Sequence, residues 1–90
     1  MAFASSETTV RLPEGVALHA RPAGLFVRTA AGFRSEITVT VGGRHANAKS
    51  ILAVLALGAR GGTPLSLRAE GEDAGAALAA LASCVSALVE

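Results

Sequence analysis

Apolar and polar residues alternate in three stretches of the chain, residues 8–12, 35–41 and 65–70. This period of two is typical of a β-strand that buries one face. Two glycines at positions 42–43 follow the second stretch and predict a hairpin turn, because glycine tolerates the positive φ that tight turns require. The return strand is then expected over residues 44–47. The inward positions are Val10, Leu12, Ile37, Val39, Val41, Leu65, Leu67 and Ala69.

Three other stretches show the helical spacing of apolar residues, and residues with capping or helix-ending preferences mark their limits. The first helix is expected to begin at His19 and to stop at Gly32, and the second to run from Ser50 to Gly58. Asp73 is the expected N-cap of the third helix. The apolar faces comprise Pro22, Phe26, Thr29, Ala30 and Phe33, then Ile51, Leu52, Val54 and Leu55, and finally Ala77, Leu78, Leu81, Val85 and Leu88.

The predicted order of elements is β-α-β-β-α-β-α, which favours a two-layer α+β domain with helices on one face of an antiparallel sheet. A ferredoxin-like arrangement shares the first six elements, so the pattern alone leaves both folds open. The 90 residues suit one domain, residues 1–90, because two separate cores would each be too small. Residues 1–7 are expected to be a frayed start, rich in serine and threonine.

Composition and charge narrow the range of functions. Hydrophobic residues make up 51% of the chain without any Trp or Tyr, so we expect an aliphatic core with at most Phe3, Phe26 and Phe33. The formal net charge of +1 gives no overall attraction to nucleic acid or anionic lipid. The longest apolar run is too short to cross a bilayer, and residues 1–9 lack the regions of a signal peptide. The single cysteine, Cys84, excludes an internal disulfide and favours a reducing cytoplasm.

A histidine, an arginine and a proline stand together at the expected start of the first helix. Pro22 costs little there, because the amides of a helix's first turn have no intrahelical acceptor. Those N–H groups and the positive end of the helix dipole suit an anion beside the ring of His19. Arg21 adds a permanent charge with forked donors that match phosphate oxygens. These residues favour a site in which His19 carries a phosphoryl group and Arg21 stabilises it.

The sequence His-Ala-Arg-Pro-Ala at residues 19–23 resembles the active-site signature of the HPr family, the histidine-containing phosphocarrier proteins of the bacterial phosphoenolpyruvate:sugar phosphotransferase system. One departure is Ala17, because the family usually has glycine before the Leu-His pair, and here Gly15 lies two residues earlier. The likeness continues, in the family's order and spacing, through residues 47–52, 57–58, 61–62, 70–73 and 77–78.

The resemblance implies both a fold and a function. The implied fold is an open-faced β-sandwich, in which three helices cover one face of a four-stranded antiparallel sheet. The implied function is that of a phosphocarrier, which accepts a phosphoryl group on Nδ1 of His19 from phosphorylated enzyme I and passes it to enzyme IIA domains. Such a carrier needs no cofactor or metal and has no turnover of its own, so we expect that the chain is not itself an enzyme. We also expect that it neither binds nucleic acid nor inserts into a membrane.

Ser50 and the short helix after it are expected to combine a structural and a regulatory role. As an N-cap, Ser50 is worth on the order of 1 kcal/mol. In HPr proteins of some bacteria the matching serine is phosphorylated by HPr kinase/phosphorylase, so the resemblance makes Ser50 a candidate regulatory site. A helix this short and apolar cannot bury every side, and one edge is expected to be exposed near His19. By resemblance, the partner-binding residues are Ala20, Gly24, Val27, Arg28, Lys49, Ile51, Leu52 and Leu55.

Two other reactive side chains are expected to be structural. His45 lies on the return strand and is expected to face solvent, without a metal partner at ligand spacing. Cys84 lies among Ala and Val on the last helix, where burial is expected.

Three alternative functions remain open from the sequence. A regulatory paralogue, from a nitrogen-related or dihydroxyacetone-kinase phosphorelay, would use the same chemistry with other partners. A regulatory binding protein that acts through phosphorylated Ser50 would not need His19 and Arg21. A ferredoxin-like module that binds RNA or a small ligand is disfavoured, because the strands lack aromatic residues for base stacking and the charge is near neutral.

Overall fold

The structure is a computed structural model that describes residues 5–89. It contains four strands and three helices in the predicted order. In chain order they are β1 (Ser5–Arg11), α1 (Ala20–Ala31), β2 (Glu36–Val41), β3 (Arg44–Asn47), α2 (Ile51–Ala56), β4 (Pro64–Glu70) and α3 (Ala74–Ser86).

The four strands form one antiparallel sheet in the order β1-β4-β2-β3, which confirms the predicted fold class. β4 and β2 lie in the centre and share the register in which Leu67 faces Val39. The β2–β3 hairpin turns at Gly42 and Gly43, with φ of 53° and 83°. Both values are positive, as a two-residue turn compatible with the strand twist requires.

The core lies between the sheet and the helices and is almost wholly aliphatic. Phe26 is fully buried and Phe33 is half-buried, whereas Phe3 lies outside the described residues. Full burial of a side chain the size of Phe26 contributes about 1.5–3 kcal/mol to folding. Every inward strand position predicted from the alternation is buried or half-buried. The whole stripe predicted for the third helix is also buried, although Leu88 lies just past the end of α3.

The first strand begins earlier than the sequence pattern indicates. Residues 5–7, expected to be frayed, belong to β1, where Ser5 pairs with Glu70 and Glu7 with Arg68. The segment has no apolar residue, so the period of two is invisible in the sequence. Backbone pairing with an inner strand holds it in the sheet, because ladder hydrogen bonds do not depend on side-chain type.

Asp73 occupies the N-cap position of α3, as expected, but its side chain does not cap that helix. Its carboxylate instead accepts hydrogen bonds from the amides of Arg34 (2.8 Å) and Ser35 (2.9 Å) and from the Ser35 hydroxyl (2.5 Å). The Ser35 hydroxyl, followed by the Arg34 amide, lowers the pKa of Asp73 to about 2. The carboxylate therefore joins the α1–β2 connection to the start of α3.

None of the three described helices has the length and apolar composition that a membrane crossing requires. The longest, α3, has 13 residues.

Candidate functional site

The loop of residues 12–18 carries the chain from β1 to α1, and backbone hydrogen bonds fix it at both ends. At one end, the amide of Leu12 donates to Thr63 O (3.1 Å) and Leu12 O accepts from the amide of Gly62 (2.8 Å). At the other end, the amide of Leu18 donates to Ala59 O (2.9 Å). Leu12 and Leu18 are both buried. The 12–18 loop is therefore held against the turn of residues 59–63, and its path determines where α1 begins.

His19 is the N-cap residue of α1, as the sequence predicts, with an extended backbone (φ −125°, ψ −170°). The first intrahelical bond runs from the amide of Ala23 to His19 O at 2.9 Å. The amides of Ala20 and Arg21 precede it and have no acceptor within the helix, and Pro22 has no N–H to donate. The imidazole is exposed and makes no capping hydrogen bond. Two backbone donors and the positive end of a helix thus lie next to an accessible imidazole.

Arg21 follows His19 by two residues and is exposed. Within residues 5–89 the only ion pair joins Arg68 to Glu70, so no described carboxylate neutralises the Arg21 guanidinium. An anion held at the first turn of α1 would therefore meet two amides and one permanent cation. This combination suits a phosphoryl group that is bound to the histidine beside it.

Ser50 caps α2 in the predicted way. Its backbone is extended (φ −106°, ψ 111°), and its hydroxyl accepts a hydrogen bond from the amide of Ala53 at 3.3 Å. The preceding turn is ordered by Asn47, whose Oδ1 accepts from the amide of Lys49 at 2.9 Å. A phosphoryl group on Ser50 would lie at the N-terminal end of α2 and beside its exposed apolar residues.

Large apolar side chains are exposed on α1 and α2, two helices that pack against each other. Leu52 is 76% exposed and Ile51 39%, as the short-helix argument predicts, and Leu55 is half-buried. Leu25 on α1 is 42% exposed and is absent from the sequence-based list of partner-binding residues. On α1, Ala20 and Arg28 are exposed, whereas Gly24 and Val27 are half-buried.

Lys49 has a structural contact that its position in the sequence did not suggest. The side chain is half-buried, and its ammonium donates to Phe33 O at 2.7 Å, just past the C-terminal end of α1. A cation is favourable at that end of a helix. Lys49 therefore connects the start of α2 to the end of α1.

His45 and Cys84 lie outside this region. His45 is exposed, as expected, and its Nδ1 lies 2.8 Å from the hydroxyl of Thr40 on the neighbouring strand. Cys84 is half-buried against the core, so the expected burial is only partial. Among the described residues, no three His, Cys, Asp or Glu side chains are grouped as metal ligands would be.

Fold and site together define a small α+β domain that presents an exposed histidine at the N-terminus of a helix. Residues 4–87 match the family profile described as "PTS HPr component phosphorylation site". The chain therefore belongs to the HPr family of the phosphotransferase system. The resemblance drawn from the HARPA segment is confirmed.

The most similar proteins include phosphocarrier protein HPr of Haemophilus influenzae, which is 52% identical over 56 residues, or 62% of this chain and 66% of that protein. The multiphosphoryl transfer protein of Salmonella typhimurium is 44% identical over 86 residues, which cover 92% of this chain and 22% of that protein. This chain thus matches less than two thirds of the length of either relative.

The crystal structure of the HPr phosphocarrier protein from Bacillus anthracis superposes with a TM-score of 0.86 at 38% identity, covering 91% of this chain and 98% of that one. This agreement over nearly the whole chain decides between the two folds that the order of elements left open. The fold is the HPr-like open-faced sandwich.

Proposed function

We propose that this chain is a phosphocarrier that accepts a phosphoryl group on His19 from phosphorylated enzyme I and passes it to an enzyme IIA domain. The observation that supports this proposal most directly is the start of α1, where an exposed imidazole stands beside two amides without intrahelical acceptors. Arg21 follows, and no carboxylate within residues 5–89 forms an ion pair with its guanidinium. Membership of the HPr family supports the same chemistry. The name of the Salmonella relative describes transfer of several phosphoryl groups.

The transfer step exchanges one P–N bond for another. Nδ1 of the neutral His19 imidazole attacks phosphorus as the P–N bond to the donor histidine breaks, and the electron pair of that bond remains on the donor nitrogen. In the transition state, negative charge is spread over the three oxygens of the phosphoryl group that is being transferred. The amides of Ala20 and Arg21 and the Arg21 guanidinium stabilise that charge. No carboxylate occurs within the HARPA segment, and none is needed, because the donor phosphohistidine is already reactive.

The partner-binding surface in this proposal is the exposed part of α1 and α2. Leu52 and Ile51 supply apolar area, while Ala20, Gly24, Val27 and Leu55 supply smaller or half-buried positions around it. Arg28 and Lys49 supply positive charge, and the half-buried ammonium of Lys49 also donates a hydrogen bond to Phe33 O. A modest surface of this kind suits a carrier that must exchange partners quickly.

We further propose that Ser50 is a site where phosphorylation would weaken docking. Its hydroxyl caps α2 and lies next to the exposed residues Ile51 and Leu52. A phosphate there would be compatible with the helix N-terminus, but it would place a charge of about −2 beside an apolar surface. HPr kinase/phosphorylase is the corresponding partner.

The test is to incubate the purified chain with phosphoenolpyruvate and enzyme I and to measure its intact mass before and after acid treatment. We expect a gain of one phosphoryl group that is lost in acid, because the P–N bond of phosphohistidine is acid-labile. Omission of enzyme I is the control, and the His45→Ala variant should be labelled like the parent. If enzyme I of the sugar system does not label the chain but the phosphoryl donor of a nitrogen-related phosphorelay does, the chain is a regulatory paralogue instead.

A further inference from the structure

The backbones of the 12–18 loop and the 59–63 turn pass close to each other at Gly61. A Cβ atom built on Gly61 would lie 2.7 Å from the amide nitrogen of Gly15, 3.1 Å from Pro13 O and 3.3 Å from the amide nitrogen of Val16. All three are backbone atoms, so no side chain can rotate away to make room. The loop is bonded to the turn at both its ends and cannot withdraw without changing those bonds.

A glycine is needed at position 61 because there is no room for a side chain, and not because the backbone requires a positive φ. Its φ lies outside the left-handed region, so alanine could adopt its backbone geometry. Gly58, three residues earlier, shows the opposite case. Its φ is +64°, yet a Cβ there would meet nothing within 4 Å. The two glycines separate the effect of crowding the 12–18 loop from the effect of straining the backbone of a nearby turn.

We propose that Gly61 is a positioning residue for phosphoryl transfer, since its missing side chain sets the path of the loop that places His19. The inference rests on the proposed function of His19. Ordinary contact begins at 3.4 Å, so a Cβ at 2.7 Å must push the Gly15 amide away by about 0.7 Å. The hydrogen bond from Leu18 to Ala59 passes this shift to the residue next to His19. A misplacement of about 1 Å can slow a reaction by roughly 100-fold.

The experiment compares Gly61→Ala with Gly58→Ala as substrates of enzyme I and phosphoenolpyruvate. For Gly61→Ala we expect kcat to fall roughly tenfold or more, with KM for the carrier within about twofold of the parent, because the docking surface on α1 and α2 is untouched. For Gly58→Ala we expect a lower Tm but unchanged kcat and KM. In ¹H–¹⁵N spectra, the Leu18 amide and the His19 imidazole should shift in the first variant only.

An unchanged kcat for Gly61→Ala would overturn the inference, and so would an equal loss in Gly58→Ala or a change confined to KM. If Gly61→Ala does not fold, Thr63→Val takes its place. That variant removes the hydroxyl that accepts from the Arg60 amide at 3.2 Å and loosens the same turn without adding bulk. An unchanged kcat in Thr63→Val would then overturn the inference. If the parent itself is not labelled, the proposed function fails, while the spectra still test whether Gly61 positions His19.

Discussion

Helices α1 and α2 both begin at an N-cap residue with an extended backbone, yet they differ at their third helical residue. In α2, the Ser50 hydroxyl binds the amide of Ala53, the third helical residue. In α1 the third helical residue is Pro22, which has no N–H for a cap to bind. The third amide of α2 is therefore satisfied by the Ser50 side chain. In α1 the third position has no N–H, and the backbone donors near His19 are the amides of Ala20 and Arg21.

This difference shows how one helix geometry supports two roles. A capping serine satisfies an amide and stabilises the helix. His19, which is followed by Arg21 and Pro22, makes no such cap, and in the proposed function the amides beside it stabilise a phosphoryl group instead. Substitutions at either helix start, and at the Asp73 contact that joins the end of α1 to α3, test this difference.

The largest effect is expected from His19→Ala. We expect complete loss of acid-labile labelling by enzyme I and phosphoenolpyruvate, because the accepting nitrogen is gone. The Tm should change little, since the side chain is exposed and does not cap α1. Mass spectrometry and thermal melts on the same samples provide both readings. Full labelling of the variant would contradict the assignment, and a variant that no longer folds would mean that His19 is structural.

Arg21→Ala should slow transfer while leaving docking nearly intact. Removal of one donor that acts on the transition state typically costs roughly 100-fold in rate, and we expect a loss of that order in kcat. The matched control is Arg28→Ala on the same helix, which should raise KM with little change in kcat. Rapid-quench kinetics with enzyme I would distinguish the two. A rise in KM alone for Arg21→Ala would place this arginine in docking instead of transfer.

Two substitutions at Ser50 separate the cap from the proposed regulation. Ser50→Ala should lose about 1 kcal/mol of unfolding free energy and transfer normally. Ser50→Asp should keep the helix, because aspartate also caps, but should raise KM for enzyme I through its charge beside Ile51 and Leu52. Urea unfolding gives the free energy of unfolding, and steady-state kinetics give the KM for enzyme I. Normal docking by Ser50→Asp would leave the serine as a cap only.

Asp73→Asn tests the tether between the α1–β2 connection and α3. The pKa of Asp73 is lowered to about 2 from 3.8, so the folded state favours the charged carboxylate. Its contribution to stability is fully present above the ordinary value and is lost as the pH falls through about 2. Asp73→Asn should therefore have a lower Tm than the parent at neutral pH, and the difference should shrink below about pH 4. A difference that does not vary with pH would contradict the role of the charge.

Local features of the chain were predictable from the sequence, and long-range contacts were not. His19, Ser50 and the two hairpin glycines depend on neighbours along the chain, and each lies where the pattern predicts. The partners of Asp73 lie 38 and 39 residues away, and Lys49 bonds to Phe33 across 16 residues. Such pairings become visible only when the sheet has brought the segments together.

The sequence motif contains the candidate site residues, but it does not show which other segments hold them in place. Positions 19–23 display the histidine, arginine and proline directly. The crowding of Gly61 against Gly15 arises between two loops that no periodicity connects. Leu25 was missed for a related reason, because its exposure depends on how α1 packs against the rest of the fold.

The most direct test of the account is a pair of residue-resolved ¹H–¹⁵N spectra, recorded before and after phosphorylation by enzyme I. We expect the largest shifts at the amides of Ala20 and Arg21, together with the Nδ1 resonance of His19, and little change at Ala53 in α2. This result would show that the phosphoryl group lies at the N-terminus of α1. Phosphorylation without shifts at Ala20 and Arg21, or with the main shifts at Ala53, would contradict the account.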